Sequence, residues 1–268
     1  MFTKLKESII IVSVVFSTAL FSQSSVSLYF TGLSMDYSER ADGKLLDTEE
    51  STFSDIYGYE LSYAYTKRIR PNIYFGLDIS YAYLSGDSDY TGSLLGSDDG
   101  YGSLKSITSN TIKDLYGRVY GIYVPNPYLN MKVALGYGKY EWERALSIKQ
   151  VETYSWYPLG IELESIFRFS PHSPFQFGVN IGYSKGLSAK MDSSYPDAVL
   201  TLGGVTSIDL SFSMAYFITD NLSVDFIYEH NKQTIDKSDV VDTPIGSVYE
   251  PDSEDIQERI KFGMSYLF

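Results

Sequence analysis

Apolar and polar residues alternate with a period of two along most of the chain, and the alternation breaks at clusters of turn residues. Tyr57, Tyr59, Leu61, Tyr63 and Tyr65 share one parity, with Gly58, Glu60, Ser62 and Ala64 on the other. Successive side chains of an extended strand point to opposite faces, so this stretch reads as a strand with one greasy side and one polar side. The link from Lys67 to Asn72 contains Pro71 and Asn72, both turn formers. Beyond it Ile73, Phe75, Leu77, Ile79, Tyr81 and Tyr83 oppose Gly76, Asp78, Ser80 and Ala82. The two segments predict a hairpin with one lipid-like face.

The pattern repeats downstream. Leu129, Met131, Val133, Leu135 and Tyr137 oppose Asn130, Lys132, Ala134 and Gly136, and Tyr157, Leu159, Ile161 and Leu163 oppose Gly160, Glu162 and Glu164. Phe175, Phe177, Val179, Ile181 and Tyr183 follow the Pro-bracketed turn at 170–174. Ile208, Leu210, Phe212, Met214 and Tyr216 come next, and Leu222, Val224, Phe226 and Tyr228 after them. The final stretch puts Ile260, Phe262, Met264, Tyr266 and Phe268 on one face and Lys261, Gly263 and Ser265 on the other. Two segments are less regular. Between 26 and 37 the apolar parity changes from Val26, Leu28 and Phe30 to Leu33, Met35 and Tyr37, which allows a bulge near Gly32 or a different phase of the strand. From Leu115 to Val124 the phase with Arg118 inward leaves Leu115, Val119 and Tyr123 outward.

Connections of four to six residues alternate with long polar ones near 38–55, 85–110, 141–153, 185–206 and 231–255. Short turns on one side of a sheet and long loops on the other are the rule for transmembrane β-barrels. The expected fold is therefore all-β: one closed, antiparallel, up-and-down transmembrane barrel of about ten strands, spanning residues 25–268, with eight as the alternative. Closure is required because hydrocarbon offers no hydrogen-bond partner to a free strand edge. The C-terminal residues Lys261, Gly263, Tyr266 and Phe268 also resemble the insertion signal of small Gram-negative outer-membrane β-barrel proteins. That resemblance implies an outer-membrane address and insertion by the barrel assembly machinery.

The N-terminus fits such an address. Lys4 and Lys6 precede an apolar run from Ile9 to Phe21, and small residues follow at Ser22 and Ser24. The run is too short to cross a bilayer as a helix, so residues 1–24 read as a cleaved secretory signal. The average composition, with 44% hydrophobic residues, looks soluble because alternation dilutes each strand's signal, but 25 Tyr suit the aromatic girdles of a barrel. The absence of Cys excludes disulfides and thiolate chemistry. A formal charge of −13 argues against a nucleic-acid partner.

The inward parity collects Glu60, Asp78, Arg118, Lys132, Glu162, Glu164, Arg168, Asp209, Asp225, Glu229, Arg259 and Lys261. With both signs present, these groups can pair with one another and fill a narrow lumen, or line a conduit that favours cations. The long loops are acidic. Residues 39–55 carry six acids against two bases, and 231–255 carry seven against two. Such runs are solvated faces or oxygen-rich sites for divalent cations, bridging to lipopolysaccharide or other surface ligands. Asp87-Ser88-Asp89 and Asp98-Asp99-Gly100 lack the full spacing of a calcium loop.

Ten strands is also the count of the omptin proteases, whose resemblance would imply an Asp two residues before a catalytic His at the outer end of the lumen. Only His172 and His230 are present. His172 lies in an expected periplasmic turn, and Tyr228 stands two residues before His230. No catalytic residue, cofactor or metal site is assigned. The expected role is a non-enzymatic outer-membrane barrel that binds through its surface loops, partnered by membrane lipid and lipopolysaccharide. A narrow channel for small polar or cationic solutes is the alternative, and a hydrolase or acyl-transfer enzyme using His230 and Glu229 a further one.

Overall fold

The period-two segments fold into long antiparallel strands. The computed structural model describes residues 22–93, 100–170, 172–244 and 246–268. Its strands are β1 (Ser22–Ala41), β2 (Lys44–Arg70), β3 (Ile73–Gly92), β4 (Leu104–Asn126), β5 (Leu129–Ala145), β6 (Val151–Phe167), β7 (Phe175–Ser194), β8 (Asp197–Thr201), β9 (Gly204–Phe217), β10 (Leu222–Asp236), β11 (Val241–Thr243), β12 (Gly246–Val248) and β13 (Asp252–Leu267). Each of β1 to β6 pairs with the next, β6 pairs with β7, and the sheet continues through β9, β10 and β13 back to β1. The result is a closed ten-stranded barrel, so the eight-strand alternative is set aside. Short β8 extends the path of β9 along the outer end of β7, and β11 and β12 form a separate small hairpin.

The seam joins the two ends of the described chain. Ser24 and Phe268 exchange a pair of backbone hydrogen bonds, and β1 runs against β13 without a slip from Ser25 to Arg40. Most of the expected signal segment, residues 1–21, lies outside the described residues. Ser22, Gln23 and Ser24 already belong to β1, opposite Lys67, Thr66 and Tyr65.

The bulge expected near Gly32 is not in β1. The irregularity sits on the facing strand, where β2 loops out between the Leu33–Ile56 and Met35–Ser51 pairs. The parity of β1 never changes; what changes is its surroundings. Val26, Leu28 and Phe30 face outward, whereas Leu33, Met35 and Tyr37 face inward and are fully buried. Within the bilayer the outer wall is covered by lipid. Above it that wall meets water, and the only dry side left to a strand is the inside of the barrel. The outward residues Asp36, Arg40, Lys139 and Glu143 are exposed at this height.

A second correction concerns the long connections. Most of what reads as polar loop is strand: β1 and β2 meet at the two-residue turn Asp42-Gly43, both with positive φ, and β5 continues to Ala145. The outer hairpins are therefore extensions of the barrel wall. Inside, tyrosine rings pack closely against glycines of the adjoining strand, Tyr120 against Gly76 and Tyr116 against Gly136. A Cβ at either glycine would collide with the ring, so these positions fix close inward packing.

Candidate functional site

The lumen is the one space this barrel encloses, and its lining changes from end to end. At the end that carries the short turns and is expected to face the periplasm, a cavity of about 1080 Å³ is lined by Ser24, Thr66, Asn130, Asn180, Ser211 and Ser213 among others. Residues of the periplasmic turns, including His172, Ser173 and Asp220, stand around it.

Next comes a layer of paired charges. Arg118 donates from Nε to Asp78 at 2.7 Å and from Nη1 to Glu162 at 2.8 Å. Lys132 reaches Glu164 at 3.1 Å and Asp78 at 3.7 Å, so Asp78 is shared between β4 and β5 cations. Lys261 sits between Glu60 at 2.6 Å and Glu229 at 2.8 Å, linking β13 to both β2 and β10. Arg259 faces Asp114 at 3.4 Å and bonds Gln257 at 3.1 Å. Asp209 accepts from Asn231, and Asp225 accepts from Ser223 and Ser265. Arg168 stands apart at the periplasmic turn, donating to Gln176 at 2.8 Å and lying over the Phe217 ring. Of the twelve charged residues read as lumenal, the structure thus brings together Glu60, Asp78, Arg118, Lys132, Glu162, Glu164, Glu229 and Lys261 in ion pairs. Arg259 pairs with Asp114, and Asp209, Asp225 and Arg168 are held by neutral partners. Of the insertion-signal residues, Lys261, Gly263 and Tyr266 sit on β13 and Phe268 directly follows it; Lys261 points inward, and Tyr266 and Phe268 are exposed.

Above this layer the lumen is filled. Leu33, Tyr37, Ile56, Leu84, Ile112, Trp142, Tyr154 and Ile235 converge from seven strands, each at 0% exposure. Trp142 stacks at 5.3 Å on Tyr154 and meets Tyr37 edge-on at 5.1 Å. Its indole N–H donates to Asn110 at 2.7 Å, and Asn110 in turn donates to Glu49 at 2.8 Å.

Arg144 crowns this core at 1% exposure. It donates to Glu49 at 2.9 Å and to Glu39 and Glu152 at 3.2 Å each, with its guanidinium 4.5 Å from the Tyr37 ring centre. Glu250, from the connection between β10 and β13, accepts from Tyr154 at 2.5 Å. Arg144 and Glu152 were not assigned a role from sequence, and Glu39, Glu49 and Glu250 read there as loop acids. The available signal was the continuation of inward parity through Tyr140, Trp142 and Arg144 and through Glu152, Tyr154 and Trp156.

Neither histidine enters this centre. His230 points outward on β10, its Nδ1 3.5 Å from Glu258 on β13, while His172 stands at the periplasmic mouth. Asp87 and Asp89 are exposed, and Asp98 and Asp99 lie outside the described residues. Among the described residues no group of three or more His, Asp or Glu has metal-holding geometry.

No protein-family model matches the chain, and no curated protein matches it by sequence. Solved structures do match in fold. The outer-membrane protease OmpT from Escherichia coli aligns with a TM-score of 0.60 at 12% identity, covering 94% of this chain and 99% of that one. The Pseudomonas putida toluene transporter TodX aligns at 0.37 and 10% identity, covering 93% and 90%. Ail, the attachment invasion locus protein of Yersinia pestis, aligns at 0.32 and 13% identity, covering 93% and 100%. The chain has the fold of outer-membrane β-barrels.

Proposed function

We propose that this chain is a non-enzymatic barrel of the Gram-negative outer membrane, closed to solutes, which supports the envelope and presents rigid outer hairpins to surface ligands. One observation carries the reading: the outer half of the lumen is packed with side chains at 0% exposure, from Leu33 to Ile235. Close-packed interiors leave no water path. The protein reaches its membrane through a signal removed near the start of β1 and is inserted by the barrel assembly machinery through its terminal strand. It meets lipopolysaccharide through its outward residues.

Planar-bilayer recording of the refolded protein tests closure, with no steady conductance expected. Steady ohmic conductance would replace this reading by a narrow channel, whose cation preference should fall when Glu162 or Glu164 is neutralised. The outward direction of His230 also weighs against hydrolysis or acyl transfer at the rim. Incubation with peptides and with lipopolysaccharide, beside a His230→Ala control, checks this; turnover lost in the variant would make the protein an enzyme.

A further inference from the structure

The cluster around Arg144 holds more acid than its one cation can balance. Glu39 comes from β1, Asp47 and Glu49 from β2, Glu152 from β6 and Glu250 from the β10–β13 connection. Glu39, Glu49, Glu152 and Glu250 are at most 9% exposed. Were all five ionised, four negative charges would be left uncompensated almost out of water, a state that buried groups avoid by binding protons.

Glu250 is the odd member. Among the described residues it makes no ion pair, and its carboxyl is held by two phenols, Tyr154 at 2.5 Å and Tyr37 at 3.4 Å. Its backbone is clamped to Ser238 by two further bonds, so Glu250 anchors the whole connection. That connection also lays Val241 and Val248 against the core. Its cation Lys237 is turned away, over the Tyr249 ring at 4.2 Å. The remaining titratable groups facing the cluster are Tyr90 of β3 and Asp255 of β13. Neither supplies positive charge.

We infer that the connection between β10 and β13 is a proton-controlled latch over the outer mouth, closed while the carboxyls around Arg144 share protons and released when they lose them. Burial, then the neighbouring Glu39 and Glu152, holds the Glu250 carboxyl well above the usual carboxylate range. Burial and Glu39 push Asp47 up to about 7, and burial raises Glu152. These groups bind protons more tightly when packed than when free. Their support for the closed form is therefore complete below the ordinary carboxylate range and is lost as pH rises through their raised values, which for Asp47 is about 7. The outer end of the barrel faces the medium, so external pH sets the state.

Hydrogen exchange of segment 237–251, measured by mass spectrometry on the full barrel in lipid nanodiscs and corrected for base catalysis, reads the latch directly. Between about pH 5 and pH 9 its protection should fall at least about tenfold, the equivalent of one shifted pH unit. The strands within the bilayer should keep theirs. Glu250→Gln, neutral at every pH, should abolish the fall, and Glu152→Gln, which removes one repelling charge, should reduce it. A segment equally protected at both extremes, or a fall that survives Glu250→Gln, would overturn the latch. The latch rests on the closed reading of the barrel, and conductance recorded at the lower pH separates the two: current there defeats closure, whereas a silent barrel with an unresponsive segment defeats only the latch.

Discussion

Two halves of one lumen follow opposite rules. Toward the periplasm the inward side chains are Ser, Thr, Asn and paired ions around a cavity of about 1080 Å³. Toward the outside they are Trp, Tyr, Leu, Ile and Met, packed at 0–1% exposure in many cases. The difference lies in what covers the other side of the wall. Where lipid takes the outward face, burial of apolar surface is already achieved there and the interior can stay wet. Where the strands rise above the bilayer the outward face is polar, and the hydrophobic effect can act only inside. The same alternating strand therefore turns its apolar side from out to in along its length, with β1 doing so between Phe30 and Leu33 without a slip in register against β13.

Deleting one cation from each half breaks or sharpens this contrast most strongly. Arg144 is 1% exposed and serves three carboxylates, so Arg144→Met strands buried charge and should lower stability by about 3–5 kcal/mol at neutral pH. The Arg118 side chain is 29% exposed and lines the cavity, so water reaches the cation, and Lys132 remains 3.7 Å from Asp78 when Arg118 is lost. Arg118→Met should cost about 1 kcal/mol. Urea unfolding in vesicles measures both; equal losses would mean that the two halves share one dielectric environment.

The strands, their closure and most inward charges were legible because period two survives wherever one wall meets lipid. The Tyr57–Tyr65 and Ile73–Tyr83 faces needed no more than their own residues. The apolar interior was not legible, because Leu33, Met35 and Tyr37 are the correct apolar residues on what looked like the wrong parity, and only their height above the bilayer resolves them. Glu39, Glu49 and Glu250 read as solvated loop acids for a related reason: a buried carboxylate and an exposed one are the same letter. Partnership was also hidden. Which acids Lys261 meets, Glu60 and Glu229, depends on the register of β13 against β1 and β10.

Two positions on the same face of β3 carry the contrast to a smaller scale. Leu84 is fully buried in the outer core, while Ser80 lines the cavity below it. Leu84→Ala removes buried carbon and leaves a void that a rigid wall cannot collapse, at a cost of about 3 kcal/mol. Ser80→Ala exchanges a hydroxyl beside water for a methyl and should change stability by less than about 0.5 kcal/mol. Differential scanning calorimetry of the two variants in detergent compares them, and a small loss for Leu84→Ala would show the outer core to be loose.

Enlarging a side chain asks the converse question with the smallest expected effect. Ala189 on β7 is 6% exposed within the outer core, and its carbonyl accepts from the backbone of Leu202 at 3.0 Å, so both its side chain and its backbone are confined. Ala189→Leu must displace neighbours in the packed outer core and should cost about 1–3 kcal/mol. Ser62 on β2 lines the wide cavity, which offers open space to a longer side chain. Ser62→Leu should stay within about 0.5 kcal/mol. If urea midpoints show Ala189→Leu tolerated as well as Ser62→Leu, the outer half has room to spare, and the packing that closes this barrel is not there.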